Sequence, residues 1–591
     1  MCGIAGLVGR SDERLLEQLG ASLAHRGPDG GGVVRDGDVA LVARRLAIID
    51  VEGGEQPMTS PSGRTTIVFN GEIFNSPELR ARLERSGRTF ATDHSDTEVV
   101  LALWEERGEE GLRELNGMFA FALLDRERGE LVLVRDRLGI KPLYYAERPF
   151  AFASELRTLL HVPGVEREVD RESLFHYLSL RFVPGERSIF SRVRRLPAGH
   201  LLRYDLERRR HTVARWWRLE FRRDEGAAER LRDELRAAVV RWTLSDVPVA
   251  VSLSGGLDSG AVTALLAESG ARVRTYSLGF AGEDDELPLA RALAERWGTE
   301  HHEAVVDADE LLDDLLQMVW ALDEPYGGGL PSWYVYRFMA DDVKVGLTGT
   351  GGDELFGNYR RFVPFERARL RALRRHDVRR YHFEPSYYLT DDEKRGLGVD
   401  GRDTAKLLQS VFDASGSSSA RDSVMYLDAS TQLPDEFLHV TDRFSMAWSL
   451  EARTPFLDHE LVELVASIPP EERTSADDPK CRLRDAVADL LTPEHLRAPK
   501  RGFVFPLARW LRGELRPLAE QLLDDEHLRR QGIFRPGVAA RYLEPHLAGR
   551  VDESERLWPL LMFQLWHLLY VEEALRAPPS FSWRELAVGV R

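Results

Sequence analysis

The sequence predicts two different folds in one chain: an α+β sandwich domain, followed by an α/β domain with a doubly wound parallel sheet and a helical C-terminal region. Three observations support this prediction. The chain has 591 residues, more than one hydrophobic core usually sustains. Its first third consists of short β-type runs separated by turns. Later, strand and helix patterns alternate, which is typical of parallel sheets.

The N-terminal domain is predicted over 1–205. Its β-type runs are separated by Gly- or Asp-containing turns, and two helical patterns, 76–87 and 96–108, lie between them. Strands joined by such turns favour antiparallel sheets. We therefore expect an α+β or sandwich domain. Its β-type runs are GIAGLV, TTIVFNGEIF, MFAFALLD, ELVLVRD and PLYYAE.

A charged segment without a clear helical period, 206–226, is the predicted connector between the two domains. The second domain is predicted over 227–591, where helical and β-type patterns alternate as in doubly wound sheets. From about residue 355 onward the pattern is mostly helical. The alternating segments are AAERLRDELRAAVVRWTL, VPVAVSLS, SGAVTALLAESG, RVRTYSLGF, LPLARALAERWG, HHEAVV and KVGLTG.

Composition and charge exclude several classes of protein. Hydrophobic residues make up 43% and charged residues 30%, which argues against a disordered or fibrous chain. The net charge of −17 disfavours a non-specific nucleic-acid partner, because such binding depends on Lys and Arg. The apolar stretch 558–571 is too short to span a bilayer, so we expect a buried helix there and no membrane partner.

Two further absences indicate the compartment. No basic segment followed by a long apolar run opens the sequence, so no secretory signal is visible. The two cysteines, Cys2 and Cys481, offer neither a disulfide framework nor a CxxC metal pattern. We therefore expect a cytoplasmic protein.

Cys2 is the first candidate catalytic residue. Its small side chain permits removal of Met1, which would leave Cys2 with a free α-amino group. A thiol is nucleophilic only as the thiolate, and an α-amino group with a pKa near ~8 can serve as its base without a histidine. Such a cysteine can accept an acyl group from glutamine as a thioester. Taken alone, however, a cysteine at this position is better explained as a small residue that starts a strand.

Cys2 is accompanied by four further motifs in a fixed order. After the opening MCGIAGLVG come HRGPDG at 25–30, RRLAIID at 44–50, FNGEIFN at 69–75 and SDTEVV at 95–100. This ordered set resembles the class II glutamine amidotransferases, whose nucleophile is an N-terminal cysteine. The resemblance implies an N-terminal nucleophile-type fold and the hydrolysis of glutamine.

The resemblance also implies roles for the matching residues. Arg45 would hold the α-carboxylate of glutamine as a bidentate partner, and Glu72 and Asp96 would hold its α-amino group. The side-chain amide of Asn70 and the backbone N–H of Gly71 would form the oxyanion hole. Taken singly, Arg45 could be a surface charge and Asn70–Gly71 a plain hairpin turn.

The second candidate site is SLSGGLDSG at 252–260, between a β-type run and a helical pattern. Backbone N–H groups at the start of a helix bind phosphate well. The motif resembles the PP-loop of the ATP pyrophosphatases, which split ATP into AMP and pyrophosphate. A carboxylate attacked by ammonia cannot expel hydroxide, whereas an acyl-adenylate readily expels AMP. The expected chemistry is therefore adenylation of a carboxylate.

A second Gly-rich turn, TGTGGDELFGNY at 348–359, supplies the other expected residues of this site. Asp258 and Asp353 are expected to bind Mg²⁺, which prefers carboxylate and phosphate oxygens. By resemblance, Lys480 neutralises charge that develops during adenylation. Thr350 stands where relatives usually have an acid that takes part in forming the intermediate. The nucleotide-binding residues implied by the resemblance are Leu253, Ser254, Gly255, Gly256, Leu257, Asp258, Ser259, Leu278, Thr348 and Gly349.

Some of these assignments have an equally good structural explanation. Leu253, Leu278, Thr348 and Gly349, taken singly, could equally be core or turn residues. The Gly-rich segment DEPYGGGLPSWY, 323–334, could shape an unusual acceptor pocket or could simply form a flexible turn.

Together the motifs resemble the glutamine-hydrolysing asparagine synthetases from Cys2 to beyond Trp566. This implies conversion of aspartate to asparagine with ATP, Mg²⁺ and glutamine, an internal ammonia channel and a homodimer. One alternative keeps the chemistry but changes the acceptor to a carboxylate of a peptide, sugar acid or secondary metabolite, as Thr350 and the Gly-rich segment suggest. Another is a non-enzymatic sensor of glutamine or nucleotide, against which the intact Cys2, Asp353 and Lys480 argue.

Overall fold

The computed structural model of the chain describes residues 2–280, 286–307, 309–357, 383–475, 477–498 and 506–587. We call residues 2–217 the N-terminal part and residues 227–587 the C-terminal part. The strands of the N-terminal part are β1 (Cys2–Val8), β2 (Gly30–Asp36), β3 (Val39–Arg45), β4 (Met58–Thr59), β5 (Thr65–Ile73), β6 (Gly117–Asp125), β7 (Glu130–Arg135), β8 (Tyr144–Glu147), β9 (Phe150–Ala153), β10 (Val193–Arg195), β11 (His200–Asp205) and β12 (Arg210–Arg215).

These strands form two antiparallel sheets that pack face to face. The first has the strand order β10-β8-β9-β1-β3-β2 and the second β12-β11-β7-β6-β5-β4. Ile4 and Leu41 from the first sheet meet Val68 and Leu133 from the second in one buried cluster. Antiparallel sheets with one apolar face each bury it in this way. The predicted α+β sandwich is confirmed.

Helices cover the outer faces of both sheets. α2 and α3 pack on the second sheet, where Leu79 and Val99 join Phe69 and Phe121 in one cluster. α1 and α4 contact the first sheet. Both helices expected in this part are present, at the predicted positions. The bounds are α1 (Glu13–Ser22), α2 (Ser76–Arg85), α3 (Asp96–Arg107), α4 (Leu156–Leu159) and α5 (Arg171–Leu180).

Strand β12 lies inside the segment expected to be a connector. Arg210–Arg215 pairs antiparallel with β11 at the edge of the second sheet. Most of its residues are exposed, and charged side chains are common on edge strands because they discourage association with other chains. The sequence did not reveal this strand because an exposed, Arg-rich strand lacks the apolar alternation by which strands are recognised.

The C-terminal part contains a five-stranded parallel sheet. Its strand order is β15-β14-β13-β16-β17, and each neighbouring pair is parallel. The strand order therefore reverses at β13, because β14 and β15 lie on one side of it and β16 and β17 on the other. Ligands of such sheets bind at the carboxyl ends of the strands near this point. The predicted doubly wound sheet is confirmed. The bounds are β13 (Val249–Ser252), β14 (Arg274–Phe280), β15 (Glu300–Val306), β16 (Val345–Leu347) and β17 (Glu451–Arg453).

Helices surround this sheet and make up most of the chain after it. The predicted helical region after about residue 355 is confirmed for the described residues. The bounds are α6 (Ala227–Arg241), α7 (Leu257–Glu268), α8 (Leu287–Trp297), α9 (Glu310–Asp313), α10 (Leu315–Leu322), α11 (Ser332–Ala340), α12 (Gly352–Phe356), α13 (Asp391–Gly396), α14 (Thr404–Ala414), α15 (Ala420–Ser430), α16 (Leu438–Ala447), α17 (His459–Ser467), α18 (Pro470–Arg473), α19 (Cys481–Ala486), α20 (Pro493–Arg497), α21 (Leu507–Arg512), α22 (Arg516–Leu522), α23 (Asp525–Gln531), α24 (Glu544–Leu547), α25 (Ser554–His567) and α26 (Trp583–Ala587).

The apolar stretch near the C-terminus is the buried helix α25, as predicted. Trp558, Phe563 and Trp566 are fully enclosed, and the cluster they join includes Phe190 of the N-terminal part. Within the described part of the chain, every helix is too short or too polar to cross a bilayer.

Candidate functional site

The pairing of β1 with β3 places Cys2 opposite Arg45. The backbone N–H of Cys2 donates to Oδ1 of Asn70 on the facing sheet at 3.0 Å. Burial raises the pKa of the Cys2 thiol, and the N–H of Leu46 and the positive charge of Arg45 oppose that rise. Gln56 Nε2 lies 3.9 Å from Cys2 Sγ. The predicted nucleophile is thus enclosed and held by contacts from both sheets.

Asn70 and Gly71 lie on β5, next to Cys2. Asn70 Nδ2 is buried and has no hydrogen-bond partner among the described residues, because Oδ1 of the same amide is turned toward Cys2. Gly71 pairs with Phe119 of β6, and a Cβ at this position would overlap the carbonyl oxygen of Met118. An unpaired amide N–H at this place can donate to an oxygen that gains negative charge, as the oxyanion-hole prediction requires.

Arg45 is fixed by a tight turn. Its guanidinium donates to the carbonyl oxygens of Ile49, Asp50 and Val51 at 3.1, 2.6 and 2.8 Å. Asp50 has a φ of +50°, a left-handed conformation that non-glycine residues seldom adopt. A Cβ at Gly54 would overlap the guanidinium, so the turn can close on Arg45 only with glycine there.

Glu72 and Asp96 form a buried acidic pair near Cys2. Asp96 Oδ2 accepts from the N–H of Ile73 at 2.9 Å, and burial raises the pKa of Asp96 to about 6. Burial and the nearby Glu451 and Asp96 carboxylates raise the pKa of Glu72 well above its ordinary value. Glu72 Oε2 has no hydrogen-bond partner among the described residues. Two buried acids with raised pKa values lack enough nearby positive charge, so they can bind a cationic ligand such as an amino group.

A second contact to Cys2 comes from a residue with no role in the sequence-based prediction. Arg26 is fully buried, and its Nε donates to the carbonyl oxygen of Cys2 at 3.1 Å. Its terminal nitrogens pair with Glu155 at 3.0 Å and with both oxygens of Asp442 at 2.7 and 2.9 Å. Arg26 belongs to the motif HRGPDG, and this membership was the one sequence feature that could have indicated a role for it. Its partner in the C-terminal part could not be identified from the sequence.

The PP-loop lies between β13 and α7. Ser254 N donates to Oγ of Ser259 at 3.1 Å, and the two hydroxyl oxygens are 3.0 Å apart. Gly255 has a φ of +71°, and a Cβ there would lie 2.8 Å from the carbonyl oxygen of Glu286. The loop ends at Gly256, where α7 begins. Its position at the start of a helix and at the switch point of the sheet suits a phosphate group.

Lys480 joins the two predicted metal-binding acids. Its Nζ lies 2.7 and 2.5 Å from the two carboxylate oxygens of Asp258 and 2.6 Å from Asp353 Oδ1. Burial by itself would lower the pKa of Lys480, but the two carboxylates raise it above its ordinary value. The structure thus brings together three predicted residues that are far apart in the sequence.

The second Gly-rich turn packs directly against the PP-loop. A Cβ at Gly349 would lie 2.8 Å from the N of Ser259, and a Cβ at Gly352 would lie 2.7 Å from Asp258 Oδ1. Thr348 Oγ1 donates to Oγ1 of Thr350 at 3.1 Å. Only glycine permits two loops to approach this closely.

A cavity of about 1230 Å³ opens beside these two loops. Arg181 of the N-terminal part reaches its wall, together with Tyr326 and Gly329 from the Gly-rich segment. Leu253 and Leu278 are packed in the hydrophobic clusters and do not belong to the described wall of this cavity. The other predicted nucleotide-site residues that line it are Ser254, Gly255, Gly256, Leu257, Asp258, Ser259, Thr348, Gly349, Thr350, Asp353 and Lys480.

The Gly-rich segment is ordered by its neighbours. The N–H of Gly327 donates to the carbonyl oxygen of Arg181 at 2.9 Å. A Cβ at Gly328 would overlap the hydroxyl of Tyr326, whose ring is buried. The glycines therefore let the Tyr326 ring fold back over its own loop, beside the cavity. This packing favours a part in pocket shape over a flexible turn.

Comparison with known proteins agrees with this arrangement of two sites. The family model described as asparagine synthase matches residues 230–568, and the model described as glutamine amidotransferase domain matches residues 1–217. The chain belongs to the asparagine synthase family. Within that family, the glutamine-hydrolyzing asparagine synthetase 1 of Bacillus subtilis (strain 168) is 32% identical, with 97% of each chain covered.

Two further members of the family show the same extent of similarity. A putative glutamine-hydrolyzing asparagine synthetase of Mycobacterium tuberculosis (strain ATCC 25618 / H37Rv) is 32% identical and covers 97% of this chain and 96% of its own. Asparagine synthetase 3 of Bacillus subtilis (strain 168) is 32% identical over 85% of this chain and 87% of its own. The similarity thus spans both parts of the chain.

Proposed function

We propose that this chain is a glutamine-hydrolysing asparagine synthetase. Cys2 releases ammonia from the side-chain amide of glutamine, and the C-terminal part adenylates the side-chain carboxylate of aspartate with ATP. Ammonia then displaces AMP and gives asparagine. Glutamate, AMP and pyrophosphate are the other products.

The observation that carries this proposal is the divided use of the Asn70 amide. Its Oδ1 accepts from the N–H of Cys2 at 3.0 Å, which leaves the buried Nδ2 without a partner among the described residues. When the Cys2 thiolate attacks the glutamine amide, negative charge develops on the amide oxygen. Nδ2 of Asn70 and the N–H of Gly71 stabilise that charge. The amide nitrogen takes up the proton that the Cys2 thiol lost, and ammonia leaves as the thioester forms. Water then hydrolyses the thioester to glutamate and restores the thiol.

The remaining contacts to glutamine complete the first site. Arg45 holds the α-carboxylate through its positive charge and the N–H donors that the turn carbonyls leave free. Glu72 and Asp96 hold the α-amino group, which supplies the positive charge that these buried acids lack. The α-carboxylate and the α-amino group of glutamine do not react. Arg45, Glu72 and Asp96 therefore act by orienting glutamine relative to Cys2.

In the second site, the PP-loop binds the phosphates of ATP and Lys480 offsets charge that builds on them. The donor set also fits Mg²⁺, since two carboxylates converge on one ammonium group. Asp258 and Asp353 would hold the ion, which screens the pyrophosphate charge when bound. When no ion is bound, the ammonium group of Lys480 offsets the charges of the two neighbouring carboxylates.

Ammonia must travel between the two sites, and the contacts between the two parts of the chain suggest an internal route. Cys2 is connected through Arg26 to Asp442 on α16. Beyond it, Arg453 of β17 accepts at its carbonyl oxygen from the N–H of Thr348, at 2.8 Å. We propose that ammonia passes through this buried interface.

A different carboxylate acceptor is the second candidate, and Thr350 is the observation that favours it. Its hydroxyl lines the cavity and carries no charge. A less polar or bulkier acceptor would suit a wall formed by Thr350 and the buried Tyr326. The chemistry at Cys2 and at the PP-loop would stay the same.

The experiment supplies amide-labelled glutamine, ATP and Mg²⁺ with a pool of carboxylic acids that includes aspartate. Mass spectrometry of the products identifies the acid that gains the label. Labelled asparagine, formed with equal amounts of AMP, is the expected result. Label in another acid would replace asparagine as the product, and AMP formation that ignores aspartate would refute the assignment.

We further propose a cytoplasmic location, since both cysteines are free in the structure, as in a reducing compartment. The homodimer and the absence of nucleic-acid and membrane partners stay predictions. Size-exclusion chromatography with light scattering measures the assembly directly.

A further inference from the structure

Asp246 belongs to the C-terminal part but makes its contacts in the N-terminal part. It lies in the loop between α6 and β13, and its backbone N–H donates to the carbonyl oxygen of Ile48 at 3.0 Å. Its Oδ2 accepts from the N–H of Asp50 at 2.7 Å. The same oxygen lies 2.7 Å from Nε2 of His94. One carboxylate thus joins two loops of the other part of the chain.

Both loops carry proposed glutamine-binding residues. The turn Ile49–Val51 presents three carbonyl oxygens to Arg45, and its central residue, Asp50, has the left-handed φ of +50°. Such a backbone conformation persists only when its surroundings hold it. His94 stands two residues before Asp96, and its N–H donates to Asp50 Oδ2 at 3.4 Å. Asp246 therefore braces the turn from outside.

Acidic groups surround His94. Asp93 lies 2.8 Å from Nδ1, Asp246 lies 2.7 Å from Nε2, and Asp50 faces the ring from the Arg45 turn. Asp246 is the main cause of a raised His94 pKa, followed by Asp93 and Asp50. Because His94 and Asp246 are both partly exposed, solvent weakens this attraction. The N–H of Asp50 also lies 3.3 Å from Nε2 of His94, which can accept it only while that nitrogen is unprotonated. The shorter bond of the same N–H to Asp246 Oδ2, at 2.7 Å, does not need a charge on His94.

We infer that Asp246 is a positioning residue for glutamine: the C-terminal part holds the Arg45 turn in the shape that receives the α-carboxylate. The inference rests on the proposed function, since it assumes that Arg45 binds glutamine. Asp246 does not touch glutamine and acts through the turn. Three residues after it, β13 begins and leads to the PP-loop, so both sites share this segment.

The test uses the full-length chain with Asp246→Ala and Asp246→Asn, and measures the KM and kcat of glutamine hydrolysis and the rate of ammonia-dependent synthesis. Asp246→Ala should raise the KM for glutamine about tenfold, because the Asp50 N–H loses a charged hydrogen-bond acceptor. The kcat and the ammonia-dependent rate stay within about twofold, because Cys2 and the PP-loop are untouched.

Asp246→Asn adds a readout that a purely structural role would not give. Its side-chain oxygen can still accept from the Asp50 N–H, but it carries no negative charge and attracts a protonated His94 less strongly than Asp246 does. The KM ratio of this variant to the wild type should therefore approach one at high pH and increase as pH falls through the His94 pKa. Glu463→Gln is the matched control, since Glu463 Oε1 accepts from Trp217 Nε1 at 2.8 Å, away from the Arg45 turn.

A wild-type KM for glutamine in Asp246→Ala, or a parallel loss of the glutaminase and ammonia-dependent rates, would overturn the inference. If Asp246→Ala does not fold, a pH-independent KM ratio in Asp246→Asn would do the same. Failure of the wild-type chain to hydrolyse glutamine would instead refute the proposed function, so the two failures can be told apart.

Discussion

Arg26 and Asp442 form a fully buried pair across the two parts of the chain, joined by hydrogen bonds of 2.7 and 2.9 Å. The Nε of the same guanidinium donates to the carbonyl oxygen of Cys2 at 3.1 Å. The single side chain of Arg26 therefore connects the backbone of Cys2 to the C-terminal part. A buried charge that loses its partner is costly, so this pair makes the two parts depend on each other.

Asp442→Ala should destabilise the chain by about 3 kcal/mol, because Arg26 would keep its buried charge and lose its two-point partner. The shift of the urea midpoint, followed by tryptophan fluorescence, measures the effect. Asp313→Ala is the control: its pair with Arg584 is exposed at the surface, and its loss should cost less than about 1 kcal/mol. Equal shifts for the two variants would contradict the importance of the buried pair.

Asn70→Asp should lower the kcat of glutamine hydrolysis by about 10²–10³-fold, the effect of removing one oxyanion donor. The variant keeps an oxygen that can accept from the Cys2 N–H but loses the Nδ2 donor. The KM for glutamine should change much less, since the donor acts on charge that develops in the transition state. A normal kcat with a raised KM would show that Asn70 binds the ground state instead. Ammonia-dependent synthesis serves as the internal control.

Glutamine binding should weaken as pH falls through about 6, the raised pKa of Asp96. Below that pH the carboxyl group is protonated and neutral, so it no longer attracts the α-ammonium group of glutamine. Above it, the charge is present and binding is strong. The pH profile of kcat/KM for glutamine hydrolysis measures this change. Asp96→Asn should remove the inflection near this pH, and an unchanged inflection in the variant would assign it to another group.

Lys480→Ala should abolish synthesis with either nitrogen source and leave glutamine hydrolysis within about twofold of the wild type. The Nζ of Lys480 lies within 2.7 Å of both Asp258 oxygens and near Asp353, so its removal also leaves two acids close together. Exchange of labelled pyrophosphate into ATP in the presence of aspartate measures adenylation. Lys480→Arg keeps the charge but not its compact shape, and should recover only part of the exchange. Normal exchange in Lys480→Ala would exclude the proposed role.

The local sequence was sufficient to predict residues that act within a motif. Asn70, Gly71 and Glu72 follow one another on β5, so their common position near Cys2 depends only on the packing of β5 against β1 of the facing sheet. The PP-loop is similar, because a strand, a Gly turn and a helix are all readable from the pattern. The sandwich and the doubly wound sheet were predicted for the same reason: most of their strands and helices follow local sequence patterns.

Contacts between distant segments could not be predicted in this way. Arg26 and Asp442 are separated by 416 positions, and no local pattern links them. Asp246 has the composition of an ordinary loop residue, and its role emerges only when the two parts pack together. Leu253 and Leu278 were assigned to the nucleotide site by resemblance alone, and in the structure they pack in the hydrophobic clusters. Their part in nucleotide binding stays a prediction.

The central claim is that one chain both releases ammonia from glutamine and delivers it to an adenylated carboxylate. The direct measurement supplies amide-labelled glutamine, ATP, aspartate and an excess of unlabelled ammonium, and determines the label in asparagine by mass spectrometry. The account predicts that asparagine keeps most of the label in the wild type and none in Cys2→Ala, which still forms asparagine from ammonium. Label diluted in proportion to the added ammonium, or undiminished in Cys2→Ala, would contradict it.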